Sequence, residues 1–111
     1  VKKAGKHAIV HICGDLTDRL ESIAEIGPDI LSVDTHVDLE YAKNIFGDKI
    51  TTLGNINVVN TLYMGTLEEV NEQILTILKK TDGKGHILGG ACDIAPVSPK
   101  ELVANWKKVL V

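Results

Sequence analysis

The stretch Ala8-Ile9-Val10-His11-Ile12-Cys13-Gly14 predicts a β-strand that carries two potential metal ligands. Its apolar run predicts a buried strand, which ends where Gly14 and Asp15 interrupt the pattern. Side chains two positions apart in a strand share a face, so His11 and Cys13 are expected to point in the same direction. Both lie near the C-terminal end of this strand, where parallel α/β folds place their ligands and their chemistry.

The other cysteine of the chain, Cys92, follows a second apolar run, His86-Ile87-Leu88-Gly89-Gly90-Ala91. One imidazole and two thiols at strand ends form a Cys2His set, which suits zinc with an open fourth position. Two thiolates neutralise zinc, and a third thiolate from a substrate leaves the centre negative, which favours thiol alkylation over hydrolysis. In the alternative interpretation, both cysteines are small buried hydrophobes and His11 is a hydrogen-bonded core residue.

Length and composition limit the classes of protein to consider. The 111 residues are enough for one domain, and we expect residues 1–111 to form a single unit. The net charge of −3, without a cluster of Lys or Arg, gives no indication of nucleic-acid binding. No apolar run reaches the roughly 20 residues that cross a bilayer, so no membrane span is expected. Since no secretory signal is visible, the cytoplasm is the expected compartment, where thiols stay reduced.

Strand and helix patterns alternate about four times along the chain. Three further short apolar segments, at 29–34, 50–55 and 86–92, predict strands. Helix starts are predicted at Asp15 or Thr17, at Asp38, and at two capping boxes, Thr66 with Glu69 and Ser98 with Glu101. In the last helix, Leu102, Val103, Trp106 and Leu110 are expected to face the core. Because the strands are apolar on both faces, the pattern favours an α/β fold with a parallel sheet.

Two more polar residues, Asp34 and Asn55, end predicted strands. Their side chains are expected to point towards the same C-terminal edge of the sheet as His11, Cys13 and Cys92. They would either hold polar groups of a substrate or cofactor, or cap the loops in which they lie. The neighbouring His36 and Asp93 also have two interpretations. Each would join the site or remain an exposed loop residue.

Four segments resemble the uroporphyrinogen decarboxylase superfamily: HICG at 11–14, LSVD at 31–34, LGNI at 53–56 and ILGGACDIAP at 87–96. The His-x-Cys motif and the distant cysteine are similar to those of its methylcobamide:coenzyme M methyltransferase branch. The resemblance implies a (β/α)8 barrel in which zinc binds the thiolate of coenzyme M. That thiolate takes a methyl group from a methylated corrinoid, which a partner protein carries. Transferred to this sequence, the resemblance implies that the zinc ligands are His11, Cys13 and Cys92.

The chain is short for such a barrel, which needs about 250 residues. The resemblance places its four or so βα units in the C-terminal half of the barrel. We therefore expect either a C-terminal piece of a longer protein or a homo-oligomer that covers the open edges of the sheet.

Three functions are compatible with the sequence. The first is a zinc-dependent methyltransferase domain that moves a methyl group from a protein-bound corrinoid to a small thiol such as coenzyme M. The second is a metal-free enzyme, similar to uroporphyrinogen decarboxylase, that acts on a tetrapyrrole. The third is a non-catalytic module that binds a corrinoid or a partner protein.

Overall fold

The fold is built on one sheet of four parallel strands, which lie side by side in chain order. The computed structural model describes residues 1–110. The strands are β1 (Ile9–Ile12), β2 (Ile30–Val33), β3 (Thr51–Ile56) and β4 (His86–Gly90). The helices are α1 (Leu20–Ile26), α2 (Leu39–Phe46), α3 (Leu67–Thr81), α4 (Lys100–Ala104) and α5 (Trp106–Val109). This order confirms the predicted α/β class with consecutive βα units. Among these helices, none is long and apolar enough to cross a membrane.

Local sequence signals fix several of the helix ends. Asp38 accepts a hydrogen bond from the Glu40 amide at the start of α2, and Thr66 and Glu69 form a reciprocal capping box at the start of α3. Both starts confirm the sequence prediction. Gly27 ends α1 with a φ of 68°, a left-handed conformation that glycine adopts without the steric cost of a Cβ. These caps satisfy backbone groups that would otherwise remain unpaired at the helix ends.

The start of α1 differs from the prediction. This helix begins at Leu20, after a 3₁₀ turn over Thr17–Arg19, and no side chain caps it. Asp15 instead caps the turn, since its carboxylate accepts hydrogen bonds from the amide and the hydroxyl of Thr17.

The C-terminal helix also differs from the prediction. No capping box forms at Ser98. The residue that caps α4 is Pro99, and the buried Ser98 hydroxyl has no hydrogen-bond partner among the described residues. The helix is then interrupted at Asn105, where α4 gives way to α5. Leu110 lies beyond the end of α5 and is exposed, whereas Leu102 is buried as expected.

One face of the sheet carries the hydrophobic core. Leu31 and Val33 of β2 are completely buried there, and Val10 and Leu88 flank them. The helices contribute apolar side chains at helical spacing: Leu20, Ile23, Leu39, Ala42, Phe46, Val70, Ile74 and Ile77. This burial, at roughly 25 cal/mol per Å² of apolar surface, holds the helices against this one face.

The opposite face, which we call the open face, carries Ile9, His11, Leu53 and Ile87. The expectation that β1 is a buried strand is wrong, because Ile9 is 62% exposed on this face. In β4, Ile87 is 44% exposed. Neither β1 nor β4 has a second strand beside it among residues 1–110. Since parallel sheets are usually covered on both faces, the open face is an incompletely covered surface.

His86 links β3 to β4 on the core side of the sheet. The Thr52 hydroxyl lies 2.8 Å from Nδ1, and Nε2 donates a hydrogen bond of 2.8 Å to the Gly54 carbonyl. Burial lowers the pKa of the imidazole below its ordinary value of 6.5, because the charged form loses solvation, although the hydrogen bond to Gly54 acts in the opposite direction. Folding therefore favours the neutral form of this ring.

We expect the free energy of unfolding of the metal-free chain to decrease as the pH falls below about 6.5, because the unfolded chain then binds a proton that folded His86 resists. Urea unfolding between about pH 7 and pH 5 measures this decrease. His86→Gln, which cannot be protonated, should show a smaller decrease. The carboxyl pKa values that lie below their ordinary 3.8, such as that of Asp34, affect stability only at lower pH. The same pH dependence in both proteins would contradict this role of His86.

Candidate metal centre

The thiols of Cys13 and Cys92 meet although they follow the two opposite edge strands. In a flat sheet, three strand spacings of about 4.8 Å would separate β1 from β4. The two Sγ atoms nevertheless lie 3.5 Å apart. The sheet therefore curls, and the segments after β1 and β4 approach each other at its C-terminal edge. The structure thus brings together the two cysteines that the sequence pattern placed at strand ends.

His11 completes a cluster of three side chains, which we call the His-Cys-Cys cluster. Its Nε2 lies 3.3 Å from the Sγ of Cys13, and the ligand atoms of His11, Cys13 and Cys92 all lie within 4.8 Å of one another. His11 and Cys13 are exposed, and Cys92 is half-buried. An ion or a small molecule can therefore reach the cluster from solvent.

The distances in the cluster fit a tetrahedral zinc site. Bonds of about 2.3 Å to sulfur and about 2.0 Å to nitrogen place two sulfurs about 3.8 Å apart, and a nitrogen and a sulfur about 3.5 Å apart. The observed separations of 3.5 Å and 3.3 Å are close to these values, and the remaining pair of ligand atoms lies within 4.8 Å. Three protein ligands are also the number that catalytic zinc sites use when they leave a position open.

The charges at the cluster favour a bound cation. In the metal-free chain, the contact with Cys92 raises the pKa of the Cys13 thiol, both through the hydrogen bond between the sulfurs and through repulsion between thiolates. Desolvation and the negative charges of Asp34 and Asp93 raise this pKa further. A divalent cation held by these residues would reverse this balance, because it would stabilise both thiolates and displace their protons.

Asp34 fixes the loops at the rim of the cluster. Its Oδ2 accepts a hydrogen bond of 2.8 Å from the Gly14 amide, and its Oδ1 accepts one of 2.6 Å from the Thr35 amide. The Gly14 amide lowers the pKa of the Asp34 carboxyl against the opposing effect of desolvation, and the Thr35 amide lowers it further. The carboxylate therefore ties the segment after β2 to the residue that follows Cys13.

Asn55 lies near the C-terminal end of β3 and supports the segment after β2. Its side-chain amide is buried and donates hydrogen bonds to the carbonyls of Asp34, at 3.1 Å, and Val37, at 2.9 Å. These contacts agree with the loop-capping interpretation of Asp34 and Asn55. Their role in binding a substrate or cofactor stays a prediction.

A depression of about 350 Å³ lies on the open face beside the cluster. This volume is within the usual range of roughly 300–1,000 Å³ for ligand pockets. Its lining consists of Ile9, His11, Ser32, Leu53, Gly90, Cys92 and Asp93. Asp93 thus lines this depression, whereas the exposed His36 does not. A larger cleft between α2 and α3, of about 900 Å³, contains neither the imidazole nor the thiols of the cluster.

Sequence reasoning missed Ser32, the one side chain within residues 1–110 that hydrogen-bonds to His11 from a neighbouring strand. The Ser32 hydroxyl lies 2.9 Å from His11 Nδ1, and the two residues are direct register partners in β1 and β2. Both strands were predictable from their apolar runs. Their relative register was not, and only the register reveals this pair.

The family model for uroporphyrinogen decarboxylase (URO-D) matches residues 1–109. The chain belongs to this family. Among its relatives, a methylated-thiol–coenzyme M methyltransferase from Methanosarcina mazei is 36% identical over 94 residues, which are 84% of this chain and 24% of that protein. The methylcobamide:CoM methyltransferase MtaA from Methanosarcina barkeri is 31% identical over 94 residues, 84% of this chain and 27% of that protein. The uroporphyrinogen decarboxylase of Nostoc punctiforme is 33% identical over 85 residues, 77% of this chain and 24% of that protein.

A solved structure of a methyltransferase from Methanosarcina mazei has the same fold. It superimposes with a TM-score of 0.81 at 25% sequence identity, over 99% of this chain and 33% of that chain. This match confirms that the four βα units of this URO-D chain have the arrangement found in a TIM-barrel methyltransferase. The chain spans about a quarter of the length of the curated relatives described above.

We expect Asp34→Ala to lower the free energy of unfolding by about 1–2 kcal/mol, because two backbone amides lose a charged hydrogen-bond acceptor. Urea unfolding of the metal-free chain near neutral pH measures the change. Asp93→Ala is the matched control, since Asp93 is exposed and its side chain makes no hydrogen bond or ion pair within residues 1–110. Equal stability of the two variants would show that Asp34 does not fix the rim.

Proposed function

We propose that this URO-D chain is part of a zinc-dependent methyltransferase. In this proposal a methyl group moves from a methylated corrinoid, carried by a partner protein, to a thiol such as coenzyme M. The observation that supports it most directly is the His-Cys-Cys cluster, whose donor types and spacing suit zinc. The printed names of the methanogen relatives support a corrinoid as methyl donor and coenzyme M as acceptor.

The residues of the cluster account for the kind of reaction. Zinc held by His11, Cys13 and Cys92 would supply a Lewis acid that keeps an incoming thiol deprotonated near neutral pH. Because the two cysteine thiolates would already balance the charge of the ion, a substrate sulfur there would remain a good nucleophile. Ile9 and Leu53 offer apolar contact to the carbon chain of a small thiol in the adjacent depression.

The surroundings of the cluster support the other expectations from the sequence. We propose that residues 1–111 form one structural unit, the C-terminal part of a barrel. The open face and the two free sheet edges support the expectation that further protein covers this side, either the remaining strands of a barrel or a second copy. Reduced thiols, which the cluster needs, suit the cytoplasmic location expected from the sequence.

A decarboxylase that acts on a tetrapyrrole is the second candidate, because the chain is about as similar to a uroporphyrinogen decarboxylase as to the methyltransferases. This function gives no role to two thiols and an imidazole in contact. A binding module for a corrinoid or a partner protein also leaves the cluster without a role. Metal content therefore separates the candidates.

We expect the chain, purified under reducing conditions with zinc, to retain one equivalent of the ion, as a three-ligand site predicts. Cys13→Ala and Cys92→Ala should each lose it, because two remaining ligands bind zinc weakly. Elemental analysis after gel filtration measures the stoichiometry, and circular dichroism checks the fold. His36→Ala is the control, since it removes an exposed imidazole outside the cluster. Full zinc content in both cysteine variants would refute the proposed site.

We further expect coenzyme M to bind the zinc-loaded chain with release of a proton, because the thiol binds as thiolate. Isothermal titration in buffers of different ionisation enthalpy measures both the binding and the proton release. The chelated, metal-free chain should show no binding. Equal binding with and without zinc would argue against a thiol substrate at this cluster, even if the zinc stoichiometry is as expected.

A further inference from the structure

Ser32 is placed to control the orientation of the His11 ring. The two residues lie directly opposite each other on neighbouring parallel strands, so their side chains project side by side from the open face. Ser32 is only 8% exposed, and His11 Nδ1 is the one hydrogen-bond partner of its hydroxyl among the described residues. The contact at Nδ1 turns the opposite ring nitrogen, Nε2, towards the Sγ of Cys13, 3.3 Å away.

We propose that Ser32 is a positioning residue of the metal centre: its hydroxyl accepts the Nδ1 proton of His11 and leaves the Nε2 lone pair directed at the two thiols. This inference rests on the proposed zinc function. A neutral imidazole has one donor and one acceptor nitrogen, and the partner of one nitrogen decides which role the other takes. A hydroxyl can accept or donate, but only as an acceptor does it leave Nε2 free for a cation.

The position of Ser32 in the sheet explains why a small hydroxyl residue suits this role. Its side chain occupies the row formed by His11, Ser32, Leu53 and Ile87 across the four strands. Serine is short enough to leave room for the imidazole above it and still reaches Nδ1. Among the described residues its hydroxyl makes no hydrogen bond to either thiol, so we expect its effect on the metal to pass through His11. Partners of this kind typically change metal affinity 10–100-fold.

The test compares the full chain with three variants. Ser32→Ala removes the hydroxyl, Ser32→Thr restores it on a residue that β-strands favour, and Ser22→Ala removes an exposed hydroxyl from α1 as a control. Zinc affinity is measured by competition with a chromophoric chelator. Long-range ¹H–¹⁵N correlation spectra of the metal-free proteins show which ring nitrogen of His11 carries the proton.

We expect Ser32→Ala to weaken zinc binding about 10–100-fold and to reduce the population of the Nδ1-protonated form of His11. Ser32→Thr should recover most of both effects, and Ser22→Ala should match the unsubstituted chain. Unchanged affinity in Ser32→Ala, or a metal-free chain in which Nε2 carries the proton, overturns the role of Ser32. Failure of the unsubstituted chain to bind zinc overturns the proposed function instead, so the two failures are distinguishable.

Discussion

The candidate centre depends on one geometric constraint, the curl of a parallel sheet whose strands all end at the same edge. Parallel pairing brings the carboxyl ends of β1 to β4 together, and the curl closes the distance between the two outer strands. Without it, Cys13 and Cys92 would lie on opposite sides of a sheet four strands wide, instead of 3.5 Å apart. The helices packed on one face stabilise this curvature, because they bury a continuous core there and leave the other face free for the site.

The parts of this structure that the sequence predicts are those that local patterns determine. Asp38 and the Thr66–Glu69 capping box start their helices where expected, because capping depends on neighbours three or four residues away. Ser98 shows the limit of such signals. The sequence has the letters of a capping box, but the chain enters α4 through Pro99 and leaves the hydroxyl unpaired. The three cluster residues were predictable because strand ends of a parallel sheet share an edge.

What the sequence does not predict is set by contacts between distant segments. The apolar run of β1 has the composition of a buried strand, yet Ile9 is exposed, because burial depends on what lies across the sheet. Ser32 could be assigned to a strand but not to His11, since the register between β1 and β2 is a property of the pair. The break at Asn105 likewise has no distinct signal in the sequence, and α5 ends before Leu110, which is exposed.

Membership of the URO-D family does not by itself decide the chemistry, because decarboxylases and methyltransferases share the family and, over this part, a similar degree of identity. The decision has to come from side chains at the strand ends. A polar rim such as Asp34 and Asn55 suits either reaction, since both residues mainly support the loops. Two thiols in contact beside an imidazole favour, in our proposal, the reaction that uses a thiophilic metal. All three proposed ligands lie in this chain, so in this proposal the chain would determine which metal binds, and whatever covers the open face would help to select the substrate.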